Sequence, residues 1–169
     1  MGKYAYGITS FEVGDIATLD GAIENPVDLT DVIYKDTITI DEPEATETNH
    51  FVEGSSRYPV VSIDEAGLTK VMANLFGATP AQKVSLMGGA VTTVDTVDSW
   101  NAPEENVNIE KYLKITLKSG HVIQYPRVKV SGRTTGEVSE KGVLVHPIKA
   151  TVLKPNFAAL KPVIIAEPA

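Results

Sequence analysis

Leu113-Lys114-Ile115-Thr116-Leu117-Lys118-Ser119-Gly120 is the stretch that decides the fold class. Leu113, Ile115 and Leu117 alternate with Lys114, Thr116 and Lys118, the period-two pattern of a strand with one face buried and the other in water. Ser119-Gly120 is a short turn signal, and residues 122–130 return as a second strand. Pro126 within it has no N–H to give to a ladder, so it is expected at an edge or a bulge. A third strand is expected over 143–153, beyond the polar stretch 131–142.

Working outward, most of the remaining chain also reads as strand. Residues 90–97 are rich in Val and Thr and follow the flexible pair Gly88-Gly89. Tyr34, Ile38 and Ile40 alternate with Lys35, Thr37 and Thr39 across 32–40, and Tyr4, Tyr6 and Ile8 alternate near the start. One helix is expected over 62–76. Ser62 and Glu65 have capping-box spacing, and Leu68, Val71, Met72, Leu75 and Phe76 recur at i, i+3, i+4, i+7 and i+8, which makes them its core. Gly77 offers a stop and Pro80 is expected to prevent resumption. Residues 15–31 and the acidic stretch 41–58 fit neither period and read as connections, the second long enough to suggest a functional loop. Pro155, Pro162 and Pro168 mark 155–169 as an arm. The expected fold class is mainly β with one α-helix, in a single domain over 1–169.

Charge is split along the chain. Through Glu110 there are 5 Lys and Arg against 19 Asp and Glu, a formal −14; from Lys111 onward there are 10 against 3, a formal +7. That asymmetry points to assembly, one part meeting the other within the fold or on a neighbouring copy. At 169 residues with 43% hydrophobic and 22% charged residues, the composition suits a globular domain, which at this size buries about two-thirds of its unfolded surface. The absence of Cys removes disulfides, thiolate metal sites and a Cys nucleophile. No apolar stretch reaches the roughly 20 residues of a spanning helix, and the first residues show no signal-peptide core, so a cytoplasmic protein or one packaged there is expected.

Chemistry-bearing patterns are weak. His50, His121 and His146 are far apart, with no second ligand at i+3 or i+4, and no Gly-x-Ser-x-Gly elbow occurs. Gly132-Arg133-Thr134-Thr135-Gly136 lacks the ending and the helix of a phosphate loop and reads as a hairpin connection. The carboxylates of 41–53 lack the spacing and central Gly of an EF-hand. Lys114 and Lys118 on one strand face, with Arg127, Lys129 and Arg133 nearby, suit a partner to acidic loops better than a nucleic-acid surface, because aromatic interleaving is sparse. The expectation is a non-enzymatic protein without metal or cofactor.

Several fragments carry a resemblance. Lys3-Tyr4-Ala5-Tyr6-Gly7-Ile8, Tyr34-Lys35-Asp36-Thr37, Phe51-Val52-Glu53-Gly54, Leu75-Phe76-Gly77, Trp100-Asn101-Ala102-Pro103, Leu113-Lys114-Ile115 and Ala150-Thr151-Val152-Leu153-Lys154-Pro155 occur in an order that resembles the major tail tube proteins of long-tailed bacteriophages. The resemblance implies a β-sandwich or barrel flanked by one helix, closing into hexameric rings that stack into a tube. It implies a virion location in the tail after assembly in the host cytoplasm, other tail proteins as partners, no membrane, and DNA passing through the lumen without specific binding. The extended loop or hairpin that such proteins send to a neighbour corresponds here to 41–58. Asp41, Glu42, Glu44, Glu47, Phe51 and Glu53, together with Lys114, Lys118, Arg127 and Lys129, are then the expected contacts between subunits or rings. Carboxylates of the first 110 residues are expected to line the channel, where charge of the same sign as phosphate lets DNA slide. The tube protein of contractile secretion systems shares this architecture. A β-sandwich binding module is the reading from another class, for which Trp100, Tyr58 and Tyr125 are the available aromatic residues, and an enzyme is the third.

Overall fold

A computed structural model describes residues 4–54 and 57–168. In chain order it contains β1 (Ser10–Ile16), β2 (Ile23–Asp28), a 3-10 turn (Thr30–Val32), β3 (Thr39–Asp41), β4 (Thr46–His50), β5 (Val61–Glu65) and β6 (Lys70–Leu75). Then follow α1 (Pro80–Met87), β7 (Ala90–Val94), β8 (Val97–Asn101), β9 (Ile109–Thr116), β10 (Val122–Gly132), β11 (Thr135–Gly136), β12 (Leu144–Val152) and β13 (Ile164–Ala166). The protein is mainly β with one helix among the described residues, as the strand patterns led us to expect. One antiparallel sheet runs β2-β1-β9-β10-β12-β6-β3, with β11 added to β12 and β13 to β10, while β4–β5 and β7–β8 form separate hairpins.

Cross-strand registers explain the core. Val13 faces Leu113, which faces Tyr125; Phe11 faces Ile115, which faces Ile123. Further along, Val130 faces Ala150, Ala150 faces Val71 and Val71 faces Ile40. Because side chains alternate between faces, these rows share one side of the sheet, and most of their members are buried. α1 covers part of that side through Leu86 and Met87. Pro126 marks a bulge, since the pairing with β9 slips between Tyr125 and Val128. β10 is central rather than an edge. There it exchanges one partner for another, β13 at Val122–Gln124 and β12 from Val128 onward, so a residue without an N–H falls where neither ladder requires one.

The helix expected over 62–76 is instead β5 and β6. Val71, Ala73 and Leu75 are buried, whereas Leu68, Met72 and Phe76 are exposed, so the operative period is two. The run fitted both periods, and the sheet prevailed because β6 is held between β12 and β3. Ser62 caps nothing; its hydroxyl donates to Glu47 Oε1 at 2.7 Å. The helix begins after Thr79, whose Oγ1 accepts from the Gln82 N–H while the Thr79 N–H donates to Gln82 Oε1. Pro80 is its first residue, where a missing N–H removes a group that would be unpaired anyway. Gly88 closes it at φ 77°.

Other expectations need correction. The strand at the N-terminus begins at Ser10 rather than Tyr4, and of 32–40 only Thr39 and Ile40 lie in a strand, β3. Residues 15–31 contain all of β2. The tail is tied down: β13 pairs with β10, and Phe157 and Leu160 pack where Gly21, at φ 68°, has no side chain. A Cβ on Gly21 would lie 2.5 Å from the Phe157 ring.

Candidate functional site

The acidic stretch 41–58 does not form one long loop. It supplies the end of β3, all of β4 and the turn toward β5. Asp41 faces Lys70 in the β3–β6 pair, and Thr46 faces Glu65 in the β4–β5 pair, so four residues separate the pairs on each strand and both follow one register. β4–β5 is therefore the distal half of a long two-stranded ribbon rooted in the main sheet. Its neck is 42–45 against 66–69. Pro43 interrupts the ladder there, and its ring lies so close to Gly67 that a Cβ on Gly67 would meet Cγ of Pro43 at 2.3 Å.

Every residue of β4 and β5 is exposed. The two faces of this hairpin differ. His50 faces Val61 and Thr48 faces Ile63, while on the other side Asn49 faces Ser62 and Glu47 faces Asp64. The first face, which also carries Thr46 opposite Glu65, has Val61 and Ile63 as its apolar residues, and the other is acidic. The Ser62 hydroxyl, and then Asn49, hold the Glu47 carboxyl below its usual range. Beyond β4, Phe51 and Val52 are 51% and 55% exposed, and the Arg57 guanidinium lies 5.7 Å from the centre of the Tyr58 ring. A two-stranded hairpin standing alone is marginal in water.

Expected contact residues separate into two regions. Asp41, Glu42, Glu44, Glu47, Phe51 and Glu53 belong to the ribbon and are all exposed. Lys114, Arg127 and Lys129 lie on the polar side of the main sheet, and Lys118 borders a groove beside Gly7. Two of the basic residues are engaged within the chain. Lys114 Nζ lies 3.2 Å from Glu12, and Arg127 binds both oxygens of Glu110 at 2.7 and 2.8 Å while donating to the Lys154 carbonyl and Asn156. Lys111, which sequence reading did not single out, pairs with Asp15 at 2.6 Å.

Among the described residues, the three ion pairs each join an acidic residue before position 111 to a basic residue from there onward. Part of the charge split is therefore satisfied inside the fold. Hydrogen bonding to Lys111 and to Arg127 lowers the Asp15 and Glu110 carboxyls respectively. Farther across the polar face, Glu110, Lys129, Thr151, Lys70 and Asp41 face one another in sequence over five strands.

The histidines do not converge on a site. His50 is on the hairpin, while His121 and His146 are buried and share hydrogen bonds with Ser119 and Thr134 at 2.8 and 2.9 Å. Desolvation, aided by Lys83, lowers the His146 pKa. Among the described residues no group of three or more His, Asp or Glu side chains is placed to hold a metal, and no helix is long and apolar enough to cross a membrane. Trp100 is no open platform; its Nε1–H donates to the Gly88 carbonyl at 2.9 Å and Lys83 sits over its ring.

Sequence reading missed the apolar face made by Val61 and Ile63. The signal was present in Val61-Ser62-Ile63-Asp64, which alternates, but the capping-box spacing of Ser62 and Glu65 obscured it. In comparisons with known proteins, no family model and no curated protein matches the chain.

Proposed function

We propose that this protein is a structural subunit that polymerises with copies of itself, as a tail-tube protein does, in hexameric rings stacked around a channel that passes DNA. One observation carries the reading: β4–β5 has both faces in solvent, one with Val61 and Ile63 bare and the other with Glu47 opposite Asp64. Such a ribbon gains stability by lying on another subunit. Half-exposed Val61, Ile63 and Phe51 would each contribute about 1 kcal/mol on burial, since full burial of such side chains from an exposed state is worth roughly 1.5–3 kcal/mol.

The remaining acidic excess suits a bore for DNA. The subunit's own ion pairs engage Lys111, Lys114 and Arg127, and the formal net charge stays at −7. Like charge keeps phosphate from adhering. Location in a virion tail and contact with other tail proteins follow from the same reading.

Electron microscopy of the purified protein tests it. Rings or tubes with a central opening are expected, and a variant in which 46–65 is replaced by a tight turn should fold but remain dispersed. Particles that stay monomeric across the accessible concentration range count against the reading, and so does a bore lined with Lys and Arg in any ring that forms.

A further inference from the structure

The core side of the main sheet is covered unevenly. At the Gly132 end of β10, α1 lies over it, and a Cβ on Gly132 would meet Met87 Cγ at 2.5 Å. At the Val122 end there is an open groove of about 810 Å³, a size within the roughly 300–1,000 Å³ of small-molecule sites. Ile115, Leu117 and Ile123 form its floor, and Ile33, Ile38 and Ile40 one wall. Residues 5–8 form the other wall.

We propose that this groove binds a single aliphatic chain ending in a carboxylate, the chemistry of a medium-chain fatty acid. The lining selects that class. Its floor and first wall are Ile and Leu side chains, which neither donate nor accept a hydrogen bond. A peptide laid on them would bring an N–H and a C=O from each residue without partners, whereas a methylene chain brings none. The floor is recessed between two walls, so a slender chain reaches it and the flat surface of a bilayer does not.

The rim supplies the complementary charge. Lys35 and Lys118 border the groove against one carboxylate, that of Asp36, and among the described residues neither lysine is ion-paired. The Lys118 side chain is also held in place. Gly7, at φ 64°, lies so close to its stem that a Cβ there would meet Cδ of Lys118 at 3.0 Å. The ammonium just beyond that Cδ has little freedom left to lose when an anion binds, which favours the complex.

Isothermal titration with octanoate, decanoate and dodecanoate, each below its micelle point, tests the site. One chain per protein molecule is expected, with affinity rising about threefold for each added CH2, less than a fully buried methylene gives because the groove is open on one side. Lys35→Gln combined with Lys118→Gln, both at exposed positions, should weaken decanoate binding about fivefold, as loss of two exposed charge contacts does. Ile40→Glu, at a wall position 46% exposed, should abolish it by placing a carboxylate in the groove; if that variant fails to fold, the lysine pair still decides. Titrations that never saturate, equal affinity for octanoate and dodecanoate, or a double lysine variant that binds as tightly as the native chain would each overturn the proposal. Sedimentation of the protein with phosphatidylglycerol vesicles, without saturable binding of decanoate, would overturn it in favour of a membrane surface.

Discussion

Leu75→Ala and Met72→Ala together test the assignment of β6. Leu75 has no exposed surface, and Met72 is 37% exposed on the opposite face of the same strand. Removing a buried leucine side chain loses its transfer free energy and leaves a cavity, which together cost roughly 3–4 kcal/mol. Met72 faces Thr39 and Lys149 on the polar side, where truncation should cost about 0.5–1 kcal/mol. For a urea slope near ~2 kcal/mol/M, the midpoint should fall by about 1.5–2 M for Leu75→Ala and by less than about 0.5 M for Met72→Ala. The assay is equilibrium urea unfolding, with unchanged slopes in both variants. On a helix over 62–76 both residues would be buried, so equal losses would refute the strand and the register built on it.

Three further outcomes follow from the same geometry. Arg127→Lys should destabilise by about 1 kcal/mol in the same urea assay, because lysine retains charge but loses the two-pronged grip on Glu110 and the bonds to Lys154 and Asn156; stability equal to the native chain would show that this network contributes nothing. Acidification should weaken the fold in two steps. The His146 pKa lies below its ordinary 6.5 in the fold, so its contribution is full above that value and is lost as pH falls through it, whereas the lowered Asp15 and Glu110 carboxyls lose theirs only below about pH 4.5. His146→Gln should remove the first step in a pH series of thermal melts, and persistence of that step would assign it elsewhere. Finally, Gly67→Ala must push Pro43 aside, so limited proteolysis should cut the neck faster, while circular dichroism of the body changes little; an unaltered cleavage rate would refute close packing at the neck.

The fold class was legible because period-two alternation persists through the strands that form its centre. Leu113, Ile115 and Leu117 announce β9, and Pro126 announces a bulge. The exchange of β13 for β12 beside β10 was not legible, because partner choice is set by distant chain segments. Region 62–76 misled for a physical reason: Val71 and Leu75 satisfy both periods, and only Ala73, too small to draw notice, separates them. The long acidic stretch was read as a loop because its strand character was hidden by Thr, Glu and Asn, residues at home in solvent. Of the basic residues, Lys114 and Arg127 were expected to meet a neighbour, and nothing local reveals that Glu12 and Glu110 already hold them.

Self-assembly through the projecting hairpin is the central claim, and sedimentation velocity over a range of protein concentrations tests it most directly. The account predicts that the 18.1 kDa chain gives way to particles six times that mass and to longer polymers, and that Val61→Ser combined with Ile63→Ser abolishes them without unfolding the subunit. A species of 18.1 kDa at every concentration, or assembly indifferent to those two substitutions, would contradict it.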